Sequence, residues 1–237
     1  MERLLKNLTP NSSLIFIGLF FITIYGFYNS YFGLIPKFNP RITSLTHIHA
    51  ILICGWFLML VAQPVLIRYK RIQTHKFIGT ISYFYIPVVL FAMVIMVKQG
   101  YASGFGHLPQ TVLLAFQFIP VSATFLFGTS YLMAILNRNN RYNHKRFMIV
   151  NALILLQAAF GRINYSWLGI TEMVPSVTTA LTIPVFMLFA LLINDVIHKR
   201  SYQAYLLSFI ALVSMIFYYD FFTMGPVWQS IAKAIFE

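Results

Sequence analysis

Acidic residues are almost missing. Glu2, Glu172, Asp195, Asp220 and Glu237 are the only five in 237 positions. All charged residues together make 9% of the chain, against about 25% in a soluble domain. So few charges cannot dress a water-facing surface, which excludes a soluble globular protein and points to an integral membrane protein. General acid–base chemistry has thin resources here, because only Glu172, Asp195 and Asp220 stand near apolar runs. Cysteine is scarcer still. Cys54, inside an apolar run, stands alone, which excludes an intrachain disulfide and a cysteine-rich iron–sulfur or zinc centre. No glycine-rich phosphate loop leads into Lys-Ser/Thr. The last apolar run lacks a lysine for a retinal Schiff base. With six histidines, the chain has fewer than a desaturase-like di-iron site usually implies. No cleavable signal peptide is expected, since the first apolar run follows the polar Thr9–Ser13 stretch and lacks a small-residue cleavage site.

What the chain has instead is hydrophobic length. Hydrophobic residues make 59% and aromatics 17%. Seven apolar runs lie at roughly 14–35, 46–67, 77–97, 110–136, 147–168, 177–197 and 203–224, each near the ~20 residues that cross a bilayer core. Backbone groups in lipid must be paired internally, so the runs are expected to be helices, with kinks at Pro87, Pro120 and Pro184. The expectation is an all-α integral membrane protein with seven transmembrane helices, a single domain over residues 1–237. The net charge of +12 sits in short loops rather than on one face, which argues against nucleic acid. Arg3, Lys6, Arg68, Lys70, Arg71, Lys76, Arg138, Arg141, Lys145, Arg146, Lys199 and Arg200 share one side if seven runs span. Lys37, Arg41, Lys98 and Lys233 share the other. The positive-inside rule then places the N-terminus in the cytoplasm and the C-terminus in the periplasm, in a multi-pass protein of the cytoplasmic (inner) membrane. Trp167 and Trp228 fall near the expected boundaries, where interfacial belts form.

The candidate chemistry lies in histidines at the starts of successive runs. His49 opens the second, His75 the third, His107 the fourth and His144 the fifth. In helices of alternating direction, His75 and His144 share the basic side and His49 and His107 the other. The loops before His75-Lys76 and His144-Lys145 form a faint repeat, a basic turn and then a His-Lys pair. Two imidazoles at one depth on facing helices can hold a haem iron or a metal ion between them. Lys76, Lys145, Arg146 and Arg71 stand near enough for haem propionates or other anions. The plain alternative is that a histidine at the headgroups simply snorkels. His47 and His49 point about 200° apart on a helix, and His49 is the deeper. An outer zinc held by His47, His49 and His107 is a second chemistry, since three histidines and a water make a catalytic zinc shell. Arg162 lies 18 residues past His144, ~27 Å along a helix. A charge at that depth faces the interior or an aqueous cavity and takes a partner, for which a propionate, Glu172 and Asp220 are candidates. Asp195 is expected to pair locally with His198, Lys199 and Arg200. Trp56, Gln63 and Gln157 either line an internal site or make buried interhelical hydrogen bonds.

Two stretches carry a resemblance. His49-Ala50 with Trp56, Gln63, Leu66, Arg71 and His75-Lys76-Phe77-Ile78-Gly79 resembles one signature of a family of uncharacterised bacterial multi-span proteins. His144-Lys145-Arg146-Phe147-Met148, followed by Ala158-Ala159 and Arg162, resembles its second. More distantly, the order and spacing of His49, His75, His107 and His144 is similar to that of two-haem cytochromes of the b-561 type. That likeness implies a four-helix core from spans two to five, with haem b held by His75 and His144 on one side and by His49 and His107 on the other. It implies electron transfer within or across the bilayer; the reductant's identity does not carry over, and a quinol or another small-molecule reductant is a candidate partner. Two alternatives stand beside it. One is a zinc- or non-haem-iron-dependent membrane enzyme using the outer histidines, with Glu172 as base. The other is a cofactor-free accessory subunit of a larger membrane complex.

Overall fold

The structure, a computed structural model, describes the backbone of residues 2–37, 39, 42–104, 108–170 and 173–237, and their side chains except those of residues 2–11, 36–37 and 173–176. Its helices are α1 (Glu2–Gly26), α2 (Ser44–Arg68), α3 (Ile72–Ala102), α4 (Gln110–Leu136), α5 (Arg141–Ser166), α6 (Met173–Ile197), α7 (Gln203–Phe222) and α8 (Pro226–Phe236), with a 3-10 turn at Phe32–Lys37. Among the described residues there is no strand. Six helices, α2 to α7, are long and apolar enough to cross a membrane, and α1 adds a shorter apolar stretch, Ser12–Gly26. An all-α, multi-pass membrane protein is the result.

Short turns reverse the chain and stack the helix ends. Lys70 (φ 58°) and Lys199 (φ 51°) adopt the left-handed conformation just after α2 and α6. The next amide closes each turn, Arg71 N–H donating to Leu66 O at 2.8 Å and Arg200 N–H to Asp195 O at 2.8 Å, a helix-ending motif that glycine usually occupies. Asn140 caps α5, accepting from the Tyr142 and Asn143 amides. These turns gather the ends of α2, α4 and α6 with the starts of α3, α5 and α7. We call this the basic end, and its opposite the far end.

The packing is a ring rather than the four-helix core expected of spans two to five. α2 packs on α3, α3 on α4 and α4 on α5, but α1 wedges between α5 and α2 and closes a circuit of five helices. The wedge requires Gly26, where an added Cβ would stand 2.6 Å from Ala159 O. α6 and α7 cover the outer side of α5, and α7 and α8 also touch α4. α5 is therefore the central pillar: 61% of its apolar window is buried, against 17–33% for the other five spans.

Inside the ring, one buried polar layer joins α2, α3, α4 and α5. Trp56 Nε1–H donates to Asn151 Oδ1 at 2.8 Å. Asn151 Nδ2 donates to Phe127 O at 2.8 Å and to Ser130 Oγ at 3.0 Å. Ser82 Oγ donates to Gly79 O, and Tyr131 and Ser82 join their hydroxyls at 2.7 Å. Trp56 meets Tyr131 edge-on, ring centroids 5.7 Å apart. Each polar group is paired, as burial away from water demands. The layer divides the ring interior into two parts, called here the basic-end and far-end chambers.

Candidate functional site

The partition fixes the direction of the residues above and below it. Seven residues are almost two helical turns, so positions seven apart share a face and lie about 10.5 Å apart along the axis. On α2, Gln63 and His49 flank Trp56 at that interval. On α3, His75 stands seven before Ser82, and on α5, His144 stands seven before Asn151. Trp56, Ser82 and Asn151 all face the ring interior, so Gln63, His75 and His144 converge on the basic-end chamber at one depth.

Local detail agrees with that placement. Each of His75 and His144 is the fourth residue of its helix, and each amide closes that helix's first turn, to Arg71 O at 3.0 Å and Asn140 O at 2.9 Å. The faint repeat in sequence is thus an equivalence in structure. The two rings lie within electrostatic range of each other. His144 Nδ1 lies 2.8 Å from Ala134 O, and a carbonyl only accepts, so Nδ1 carries the proton and Nε2 keeps its lone pair. His75 Nδ1 is buried and unpaired. Gln63 Nε2 donates to His75 O at 3.4 Å, while Gln63 Oε1 is buried without a partner.

Compared with known protein families, characterised proteins and solved structures, the chain matches none.

The flanking basic residues divide. Lys76 is exposed at the chamber's edge. Lys145 is half-buried, and its electrostatic neighbours are Arg146, Asp195 and Arg200, on the side of α6 and α7. Arg146 departs from its expected role as a propionate contact. It is buried in an ion pair, Nε to Asp195 Oδ2 at 2.6 Å, between the rings of Tyr142 and Tyr205, each 5.6 Å away. Asp195 in turn departs from the expected local cluster: it reaches across to α5, and His198 Nδ1 lies instead 2.7 Å from Asn194 O.

At the far end the same face of α5 continues from Asn151 through Ala158 to Arg162. Asn151 is fully buried, whereas Ala158 and Arg162 are exposed. By helical spacing both stand on the inward face of α5 that Asn151 marks, and inward positions that are exposed read as the wall of an open vestibule. Arg162 donates to Ala158 O at 3.1 Å and lies over the Phe27 ring, 4.1 Å from its centroid. His49 stands within electrostatic range of Arg162, its Nδ1 buried and unpaired.

Of the three histidines expected around an outer zinc, His47 and His49 lie among the described residues. His47 turns away to Tyr31, whose hydroxyl lies 2.9 Å from His47 Nδ1. His107 and Glu172 lie outside the described residues. Among the described residues no group of three His, Cys, Asp or Glu side chains is placed to hold a metal ion.

Tyr31, Ala134, Asn151 and Tyr131 escaped sequence reading as site-building residues. Asn151 alone left a signal there, an amide in the middle of an apolar run. Between α4, α5 and α7 lies a cavity of ≈ 140 Å³ bordered by Leu126, Met133, Phe147 and Leu212. It is apolar, and no histidine lines it.

Proposed function

We propose that the chain is a seven-span protein of the cytoplasmic membrane that holds a b-type haem in its basic-end chamber, between His75 and His144, and carries electrons within the bilayer. The observation that carries the reading is the pairing of these two imidazoles at one depth. Haem fits the donors present. His144 gives its Nδ1 proton to a backbone carbonyl, the arrangement that orients a ligating imidazole and raises its basicity. Gln63 Oε1, unpaired beside His75, is the acceptor that would do the same for the second ring. Bound there, the haem supplies a one-electron couple whose potential follows its axial ligands, burial and nearby charge.

The chain's own residues would set those terms. The Trp56–Asn151 layer closes the chamber on the membrane side and excludes water from it. Lys76, exposed at the edge, offers a propionate its counter-charge. Arg146 is committed to Asp195 and serves instead to anchor α5, and with it His144, against α6.

By charge asymmetry the basic end faces the cytoplasm. Arg68, Lys70, Arg71 and Lys76 lie around one turn there, and Arg138, Arg141, Lys145 and Arg146 around the next. The electron donor in this reading is a quinol or another small reductant of the bilayer or its surface.

The test is an absorption spectrum of detergent-solubilised protein from haem-replete cells, oxidised and then reduced. The expected result is the paired bands of a six-coordinate, bis-imidazole haem on reduction. His75→Ala and His144→Ala are each expected to remove that spectrum, and His49→Ala to keep it. A colourless preparation would overturn the reading.

A further inference from the structure

The basic-end histidines complete the haem reading, and the far-end vestibule is left with chemistry of its own. Arg162 carries a full positive charge there. Its partners among the described residues are a carbonyl and an aromatic ring, which supply partial charge only. Among the described residues no carboxylate pairs with it. A cation on the inward face of a membrane helix ordinarily meets an anion or an aqueous path. Across the vestibule, His49 stands about two turns from Trp56 on the face that meets α5, at the level of Ala158. Its Nδ1 is buried and unpaired. Orphaned buried polar groups are rare in native proteins, and here one stands near a charge that no carboxylate among the described residues compensates.

We propose that the far-end vestibule binds an oxyanion, a carboxylate or phosphate group, with Arg162 as its principal contact and His49 as a further donor. The guanidinium is a planar fork that matches such a group with two parallel hydrogen bonds. Phe27, its ring centroid 4.1 Å from the guanidinium carbon, steadies the fork. The vestibule lies near the end of α5, so the oxyanion can arrive on a small acid from water or on a lipid headgroup from the side. Neither source depends on haem at the opposite end.

The test uses the full chain in phosphatidylcholine nanodiscs, titrated calorimetrically with inorganic phosphate and with citrate. A parallel thermal unfolding series uses nanodiscs containing phosphatidylglycerol. The expected result is saturable binding or stabilisation by at least one of the three. Free anions alone would identify a water-borne ligand, and phosphatidylglycerol alone a lipid headgroup. Arg162→Gln is expected to weaken the effect by about tenfold or more, the scale of one charged hydrogen bond. Arg162→Lys, which keeps the charge but not the fork, is expected to fall between and keeps the test open if Arg162→Gln fails to fold. His49→Gln is expected to weaken binding several-fold with the haem spectrum unchanged. No saturable effect from any probe, or an effect unaltered in Arg162→Gln, would overturn the proposal. So would binding that emerges only in Glu172→Gln, because Arg162 would then already be satisfied by the chain's own carboxylate.

Discussion

Arg146 and Asp195 place two opposite charges where neither can reach water, with side chains 6% and 5% exposed. Their attraction offsets a desolvation cost that neither residue could meet alone. Removing one partner should therefore cost far more than removing both. Asp195→Asn is expected to destabilise by roughly 3–5 kcal/mol, and Arg146→Met with Asp195→Leu together to recover most of that loss. Unfolding of the two variants in a mild detergent measures the difference, and equal losses would refute the pair as a coupled unit. This pairing shows where residue-level reading of the sequence stops. Asp195 is followed closely by His198, Lys199 and Arg200, so a local cluster is the natural expectation. Its partner stands 49 positions away on α5, and only the packing of α6 against α5 brings them together. The depth of His75 and His144 was legible for the opposite reason: each sits a fixed distance inside its own helix, and that distance is written in the chain.

Helices were legible where length and hydropathy coincide and less so where they part. The expected run 110–136 matches α4 residue for residue, while α3 extends about a turn beyond 77–97 at each end. Gln73, Thr74, Lys98 and Gln99 lower the hydropathy of those turns without breaking their hydrogen bonds. α1 ends at Gly26 although the apolar run continues to Ile35, where the chain turns and brings the Tyr31 hydroxyl to His47 of α2. α8 was not anticipated, being amphipathic rather than apolar. It docks by Trp228 Nε1–H donating to Leu114 O at 2.8 Å and by Gln229 donating to Thr111 O at 2.9 Å. Close helix contact also explains Gly55 on α2. The Tyr85 hydroxyl of α3 donates to Leu52 O at 2.7 Å and occupies the space that a Cβ at Gly55 would need. Gly55→Ala should destabilise by about 1–3 kcal/mol through overpacking. In a Tyr85→Phe background the same change should cost clearly less, because the obstructing oxygen is gone. A double-mutant cycle on detergent unfolding reads this directly, and strict additivity would mean that α2 and α3 are not held at this contact.

At the scale of the whole molecule, the ring, the partition and the two chambers acquire a direction only once the membrane is placed around them. α2 to α7 are an even number of spans, so they alone would return the chain to the side where α2 begins. α1 decides the parity. Its C-terminal turns are anchored inside the bundle: Gly26 lies against Ala159, Tyr25 stacks on Trp167 with centroids 4.5 Å apart, and Phe16 and Leu19 are buried. A helix so packed along α5 runs parallel to the other spans and brings its N-terminus to the basic end. If α1 crosses as a seventh span, the lysine and arginine count would put the N-terminus in the cytoplasm. The expected outcome is that alkaline phosphatase fused after Glu237 is active in intact bacteria and a fluorescent protein fused there is dark, with the reverse for fusions in the 137–140 turn. A C-terminal fusion that fluoresces would put both termini on one side and α1 along the interface. It would also remove the ring's fifth wall from the membrane, and with it the enclosure that sets Arg162 apart from lipid.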